Sequence, residues 1–156
     1  MSNLQNNIEL PDIFAALYNT LVANTDLVSL LAESKPVNNP NGSLAKANSI
    51  VPMSKIVDET QTRPVPLVGI RAGNQVRTGN HTFDVFVFIR CYTGTDKAFV
   101  ENNAIVSQIS KTLDRQYVTV ASAVVAEMRL EQVSGEDYDE GYRLNYREMT
   151  FRLSVT

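Results

Sequence analysis

The sequence predicts a single α+β domain in which helices pack against an antiparallel or mixed β-sheet. Three observations predict this fold class: an amphipathic helical stripe near the N-terminus, a strongly alternating apolar segment in the middle of the chain, and a second helical stripe followed by β-rich segments. The chain has 156 residues, the usual size of one domain, and shows no internal repeat. We therefore expect residues 1–156 to form one domain.

The N-terminal third predicts a helix with a bent continuation. Pro11 suits the first position of a helix, and apolar residues follow at helical spacing over residues 12–23. These residues are Ile13, Phe14, Leu17, Leu21 and, beside them, Val22. Asn24 and Thr25 interrupt the stripe and supply an N-cap for a short second helix at 26–33, whose leucines continue the apolar face.

Residues 34–66 have a different texture, because proline and asparagine are frequent and the apolar residues come only in short pairs. Loops longer than about 15 residues are uncommon in compact domains, and they often bind a partner or become ordered against a neighbour. We expect a long loop at about 34–66. The segment is either a loop of this binding kind or a flexible insertion with no binding role.

A hairpin and a central strand are predicted next. Residues 67–71 are typical of a short strand, and the Gly-Asn pairs at 73–74 and 79–80 indicate two turns. Residues 81–93 alternate regularly and carry bulky apolar side chains on both faces at the centre of the segment. That pattern predicts a strand in the middle of the sheet that is covered on both sides.

The C-terminal half predicts one helix and two strands. Thr95 caps a predicted helix at about 95–114, whose apolar stripe must pack on the sheet. Residues 118–133 alternate between apolar and charged side chains, as in a strand with one face in solvent. The last strand is predicted at 142–155. The parity of its apolar residues changes near Arg147 and Glu148, which predicts a β-bulge there.

Charge and cysteine content exclude several classes of protein. The formal net charge is −3, and the lysines and arginines are scattered singly, which argues against sequence-independent binding of nucleic acid. No stretch approaches the roughly 18 apolar residues of a membrane span, and no signal peptide is evident, so we expect a cytosolic chain with no membrane partner. The single cysteine, Cys91, lies in the alternating segment and is expected to be a buried, inert thiol.

The residues that usually carry catalysis form no recognisable set. His81 is the one histidine that could act as a general base, and it begins an apolar strand beside a turn, where a structural or exposed histidine is expected. No glycine-rich phosphate loop occurs, and nothing in the sequence brings two carboxylates into a common apolar cleft. We expect no catalytic residue, no cofactor and no enzymatic activity.

The acidic turn at 134–141 shares some ligand positions with a calcium-binding loop. Asp137 and Asp139 fit its first and third ligand positions and Glu148 fits the twelfth, but Tyr142 stands where the sharp turn requires glycine. We therefore expect no metal site and interpret the segment as a solvated hairpin tip. Its charge can select a basic patch on a partner, which makes Asp137, Asp139 and Glu140 candidate interface residues.

The order of the elements resembles the tail terminator proteins of tailed bacteriophages, which complete the tail and join it to the head. The resemblance rests on the helix Ile-Phe-Ala-Ala-Leu-Tyr at 13–18, the strand at 65–70, the strand at 83–92, the helix at 100–113 and the closing half at 124–156. It covers nearly the whole chain in element order, length and texture. The loop at 34–66 is longer than in the shorter members of that family.

The resemblance implies a structural virion protein. Such proteins form a ring, typically hexameric, that caps the tail tube, ends tube polymerisation and offers a surface to the neck of the capsid. The implied partners are other copies of the chain, the tail tube protein, a neck or head-completion protein and, where the tail has one, a sheath protein. DNA passes through the ring without sequence-specific binding. The implied location is the tail or neck of a virion that is assembled in the host cytoplasm.

Three alternatives stay open on the sequence alone. The chain can be another neck or head-to-tail connector ring of the same general class. It can instead be a small soluble ligand-binding or enzymatic α+β domain, which needs a pocket with convergent polar groups. The third alternative is a bacterial interaction module of unrelated origin.

Overall fold

A computed structural model describes residues 10–34, 49–56, 64–79, 82–94, 98–120 and 124–155, apart from the side chains of residues 10, 33, 98, 99 and 124. His81 and Thr95, which the sequence analysis singled out, lie outside the described residues. None of the helices in the described part of the chain is long and apolar enough to span a membrane.

The described chain contains three α-helices and seven β-strands. The helices are α1 (Leu10–Val22), α2 (Thr25–Leu30) and α3 (Ala98–Leu113). The strands are β1 (Ile50–Pro52), β2 (Leu67–Arg77), β3 (Phe83–Thr93), β4 (Gln116–Val120), β5 (Val124–Val133), β6 (Asp137–Asp139) and β7 (Leu144–Val155). Short 3-10 turns follow α2 and β1, at Ala32–Ser34 and Met53–Lys55.

The strands form one mixed sheet in the order β1-β2-β3-β7-β5-β4, and β6 pairs with β7 beyond the end of β5. Strands β1 and β2 are parallel, and the other pairs are antiparallel. The predicted fold class, a single α+β domain with an antiparallel or mixed sheet, is confirmed.

The helices cover one face of this sheet, here called the inner face. Helix α1 buries its predicted stripe, since Ile13, Leu17 and Leu21 are fully inaccessible to solvent. Helix α3 buries a second stripe, and alternate residues of β3 from Val85 to Cys91 lie in the same core. Burial of these side chains stabilises the fold by about 1.5–3 kcal/mol for each large one.

Asn24 connects the N-terminal helices to α3. Its side-chain oxygen accepts a hydrogen bond from the backbone N–H of Leu27 at 3.1 Å, so it is the predicted N-cap of α2. Its amide nitrogen donates to Gln108 at 3.2 Å and to Thr112 at 2.7 Å, both on α3. This one side chain therefore begins α2 and joins it to the third helix, while the backbone N–H of Asn24 donates to the carbonyl of Leu21 at the end of α1.

We predict that Asn24→Ala lowers the free energy of unfolding by about 1–2 kcal/mol, because it removes the cap and leaves two polar groups of α3 without their partner. Urea unfolding followed by circular dichroism measures this loss. Asn19→Ala, at an exposed position of α1, is the matched control and is expected to cause no loss. Equal stability of wild type and Asn24→Ala would contradict the assigned role.

Strand β3 lies at the centre of the sheet, as predicted, between β2 and β7. The expectation that both of its faces are covered holds only at its C-terminal end. There, on the outer face, Tyr92 is buried in a second apolar cluster with Val51, Ile56, Leu67 and Leu144. Toward the N-terminal end of β3, Phe86 and Phe88 are only half-buried on the outer face, because no described element lies over them.

The turn predicted at 73–74 is wrong. Strand β2 runs through this Gly-Asn pair to Arg77, and its register against β3 shifts between Ala72 and Gln75, which is a β-bulge. Glycine is needed at 73 because an added Cβ would lie 2.9 Å from the ring of Phe88. The hairpin turns at the second predicted site, where the N–H groups of Thr78 and Gly79 donate to the carbonyl of Thr82.

The bulge predicted in the last strand is also wrong. Strand β7 pairs with β3 in one unbroken register from Asn145 to Val155, and the shift lies in β5, between Leu130 and Gln132. Apolar parity changes along β7 because the covered face changes. Leu144 and Tyr146 face the outer cluster, and the residues from Met149 onward alternate toward the inner core.

Two other segments differ from their predictions in detail. The described part of the predicted loop at 34–66 contains β1, which pairs in parallel with Val68–Ile70 of β2. The β-rich segment predicted as one strand at 118–133 is a hairpin of β4 and β5. Both differences have the same origin, since the short edge strands β1 and β4 lack the long alternation that marks a strand in a sequence.

Cys91 is fully buried on the inner face, as predicted, and desolvation by burial raises the pKa of its thiol to about 12. A thiol in the unfolded chain ionises at lower pH. The neutral thiol therefore favours the folded state at neutral pH, and this contribution is lost as the pH rises from the unfolded pKa toward the folded one.

We predict that the unfolding free energy falls more steeply with pH in wild type than in Cys91→Ala, by roughly 1.4 kcal/mol per pH unit between about pH 9 and about pH 11. Urea midpoints at several pH values measure both slopes. Since Ala also removes packing volume, only the difference in slope is diagnostic. Identical slopes would show that the thiol titrates alike in both states.

Candidate functional site

The acidic hairpin tip predicted as an interface is formed by β6 and the turn that leads to β7. Asp139 is turned toward the protein: its carboxylate accepts from the backbone N–H of Tyr142 at 3.1 Å and lies 3.7 Å from the guanidinium of Arg90. Asp137 accepts from the hydroxyl of Tyr146 at 3.3 Å but stays exposed, and Glu140 is exposed as well. The three candidate residues therefore lie together, and only Asp137 and Glu140 present charge to solvent.

The calcium loop considered at this turn does not form. Glu148, its twelfth position, lies on the outer face of β7 and accepts a hydrogen bond from Nε of Arg90 at 2.7 Å. Within the described ranges, no three His, Cys, Asp or Glu side chains lie close enough together to hold a metal ion.

Arg90 holds this hairpin against the sheet. Besides Glu148 and Asp139, it donates to the hydroxyl of Tyr92 at 3.2 Å, and its guanidinium lies over the ring of Tyr146 with 4.4 Å to the ring centre. Burial lowers the pKa of Arg90, and its hydrogen bonds to Glu148 and Tyr92 raise it by more, so the net direction is upward. The side chain is thus a permanent cation that joins β3, β7 and β6.

We predict that Arg90→Met destabilises the protein by about 1–3 kcal/mol, because it leaves the half-buried carboxylates of Asp139 and Glu148 without their cation. Chemical unfolding measures the change, and hydrogen exchange is expected to show loss of protection concentrated in β6. Arg129→Met is the matched control, since its ion pair with Glu127 is exposed and no measurable change is expected. An equal effect of the two substitutions would contradict the role of Arg90.

The open half of the outer face carries stacked arginines and phenylalanines. Arg71 lies over Phe88 with 4.4 Å to the ring centre, and Arg152 lies over Phe86 at 5.5 Å. Arg152 is also 3.7 Å from the carboxylate of Asp84. Charges of both signs therefore share this face, and it does not form the continuous basic surface that nucleic-acid binding needs.

Two exposed apolar side chains lie beside each other on β4 and β5. Tyr117 is 70% exposed and Val125 is 49% exposed, and both project from the outer face near Thr119, which pairs with Val125. We call Tyr117, Thr119 and Val125 the β4 patch. The sequence does not predict this patch, because residues 118–133 are predicted as one strand, in which these three residues are not neighbours.

A groove opens at the other end of the sheet, between the start of α1, the end of β1 and the middle of β2. Its volume is about 450 Å³, and it is lined by Pro11, Ile13, Phe14, Pro52, Met53, Ser54, Ile70, Arg71 and Ala72. We call it the α1–β2 groove. Only Arg71 among these residues is charged. No sequence motif marks the groove, because three distant segments form it.

The comparisons with known proteins show the fold. No protein-family model matches the chain, and no curated protein matches it. Among solved structures, the fold matches a chain from the virion of a native gene transfer agent particle with a TM-score of 0.58 and 15% sequence identity. The match covers 92% of this chain and 93% of that chain. At this identity the likeness establishes a common fold along nearly the whole of both chains.

Proposed function

We propose that the chain is a structural protein of a virion and works by assembling with other protein subunits. The observation that carries this proposal is the end-to-end fold match to a chain of a virion particle. The described residues add surfaces suited to contact with proteins, namely an exposed apolar patch, an apolar groove and an acidic hairpin.

The finer proposal is a ring that caps the tail tube, ends tube polymerisation and offers its opposite side to the capsid neck. The tail terminator resemblance of the sequence supports it. A closed ring ends a helical polymer because one side is complementary to the tube and the other side is different, so the repeat cannot continue. No catalytic residue, cofactor or metal is required.

The proposed partners follow from that arrangement. They are further copies of the chain, which form a ring of six, the tail tube protein, a neck or head-completion protein and, where the tail has one, a sheath protein. DNA passes through the bore. A net charge of −3 suits such a passage, because a strongly basic lining would retain the phosphates. The proposed location is the tail or neck of a virion assembled in the host cytoplasm.

We assign the acidic hairpin to the contact with a basic patch on one of these partners. Asp137 and Glu140 supply the exposed charge, and Asp139 fixes the hairpin through Arg90. Exposed charges at the rim of an interface mainly steer association and select the partner. Substitution of Asp139 is therefore expected to act on the position of the hairpin and not on its charge alone.

Two other functions remain as alternatives. A neck or head-to-tail connector ring has the same kind of surfaces and differs only in its partner. The alternative of a small ligand-binding or enzymatic domain needs a pocket, and the α1–β2 groove has a suitable volume for a small molecule. The groove has one charged residue, however, and lacks the convergent polar groups that orient a metabolite. The geometry of the described residues favours protein contacts.

The test is binding to the ends of polymerised tail tubes, measured by co-sedimentation and by electron microscopy of tube ends. We expect wild type to bind at tube ends and to stop elongation. If the hairpin forms the tube contact, Asp137→Lys/Glu140→Lys is expected to bind about tenfold or more weakly, since two charges are reversed. Glu101→Lys on α3 is the matched control.

A chain that ignores tube ends contradicts the capping function. Binding to a neck protein with no binding to tubes supports the connector alternative. A bound small molecule in native mass spectrometry supports the ligand-binding alternative.

A further inference from the structure

We propose that neighbouring copies of this chain contact one another head to tail, with the β4 patch of one copy seated in the α1–β2 groove of the next. The inference rests on the proposed ring and names the two surfaces that build it. Its occupant is a second copy of the chain.

The β4 patch has the character of the inserting surface. Tyr117 projects from the outer face with 70% of its surface exposed, beside Val125 and Thr119. Tyrosine is enriched at protein interfaces because its ring buries a large apolar area and its hydroxyl tolerates a wet edge. Strand β4 itself contains no charged residue, so no side-chain charge on it has to be desolvated in the contact.

The α1–β2 groove has the character of the receiving surface. Strand β1 ends at Pro52, and the chain then turns through Met53–Lys55, which leaves the side chains of Phe14, Met53 and Ile70 lining an open, mainly apolar groove. Such a lining gains most from an apolar or aromatic side chain and offers little to a polar metabolite.

The charges beside the two surfaces are complementary. Arg71 at the groove stacks on Phe88, and it has no carboxylate partner within the described part of the chain. Glu127 pairs with Tyr117 across the β4–β5 hairpin, so a copy that inserts Tyr117 brings this carboxylate toward Arg71. Glu127 also accepts from Arg129 at 2.6 Å within its own copy, so in the contact this carboxylate is shared between Arg129 and Arg71.

The position of the surfaces makes the contact directional. The groove belongs to β1 and β2 at one end of the strand order, and the patch belongs to β5 and β4 at the other end. Two different surfaces on one chain form a heterologous contact, which repeats from copy to copy until the rotation closes a ring. Pairing of the patch with itself would instead stop at a two-fold dimer.

A complementation experiment distinguishes these arrangements. Tyr117→Lys removes the inserting side chain, and Ser54→Arg places a long charged side chain at the rim of the groove. Both positions are exposed, so both variants are expected to fold, and circular dichroism and thermal melting check this. Phe14→Lys is a second groove variant. Val100→Lys, at an apolar position of α3 that is 70% exposed like Tyr117, is the matched control.

Light scattering after size exclusion measures the mass of each sample. We expect oligomers for wild type and Val100→Lys, and a single chain of 17.3 kDa for Tyr117→Lys and for Ser54→Arg alone. An equal mixture of these two variants retains one intact patch and one intact groove per pair, so it is expected to form a species of two chains and to stop there.

Three results would overturn the inference: wild type that stays a single chain at every concentration, a patch or groove variant that associates like wild type, or a mixture that stays monomeric. Self-association of Ser54→Arg with loss in Tyr117→Lys would identify pairing of the patch with itself. A wild type that is monomeric and still binds tube ends rejects this contact and leaves the capping function standing.

Discussion

Strand β3 carries bulky apolar side chains on both of its faces, and the rest of the fold is arranged around this central strand. Its inner face is met along its whole length by the layer of α1 and α3. Its outer face is met only at the C-terminal end, where Tyr92 packs under Leu67, Leu144 and Ile56. Arg90 lies at the edge of this second cluster and connects β3 to β6 and β7, because it pairs with a carboxylate on each of those two strands. The elements that carry the acidic hairpin are therefore positioned by the central strand.

The uneven covering of β3 also decides which surfaces are left for other molecules. Helices occupy the inner face, so the exposed part of the sheet is the outer face with its stacked arginines, the β4 patch and the hairpin. The groove opens where β1 stops short of the full length of β2. These surfaces are apolar or charged, and they lie on separate parts of one sheet, which suits the proposed contacts with several protein neighbours.

Much of the fold could be predicted from the sequence, because long elements with one buried face leave a clear period. The stripe from Ile13 to Leu21 and the alternation from Phe83 to Thr93 both located their elements correctly. The wrong predictions arose where residues distant in the sequence determine what a local pattern means. The change of apolar parity in β7 reflects a change in which face of the strand is covered, and no bulge is present there. Gly73 lies against the ring of Phe88 within a strand and does not form a turn. The sequence predicts the acidic tip as a turn, but only the structure shows that Asp139 forms an ion pair with Arg90. The groove and the β4 patch arise from tertiary neighbours and have no local signal.

The proposed role of the chain is that of a structural protein in a virion. Quantitative peptide mass spectrometry of particles purified from cells that encode the chain tests this role, with the tail tube protein as the internal standard. We expect the chain to be present at a small fixed copy number, as for one ring per particle, and to remain after stringent washing. Absence from purified particles, or a copy number that falls with each wash, would rule the role out.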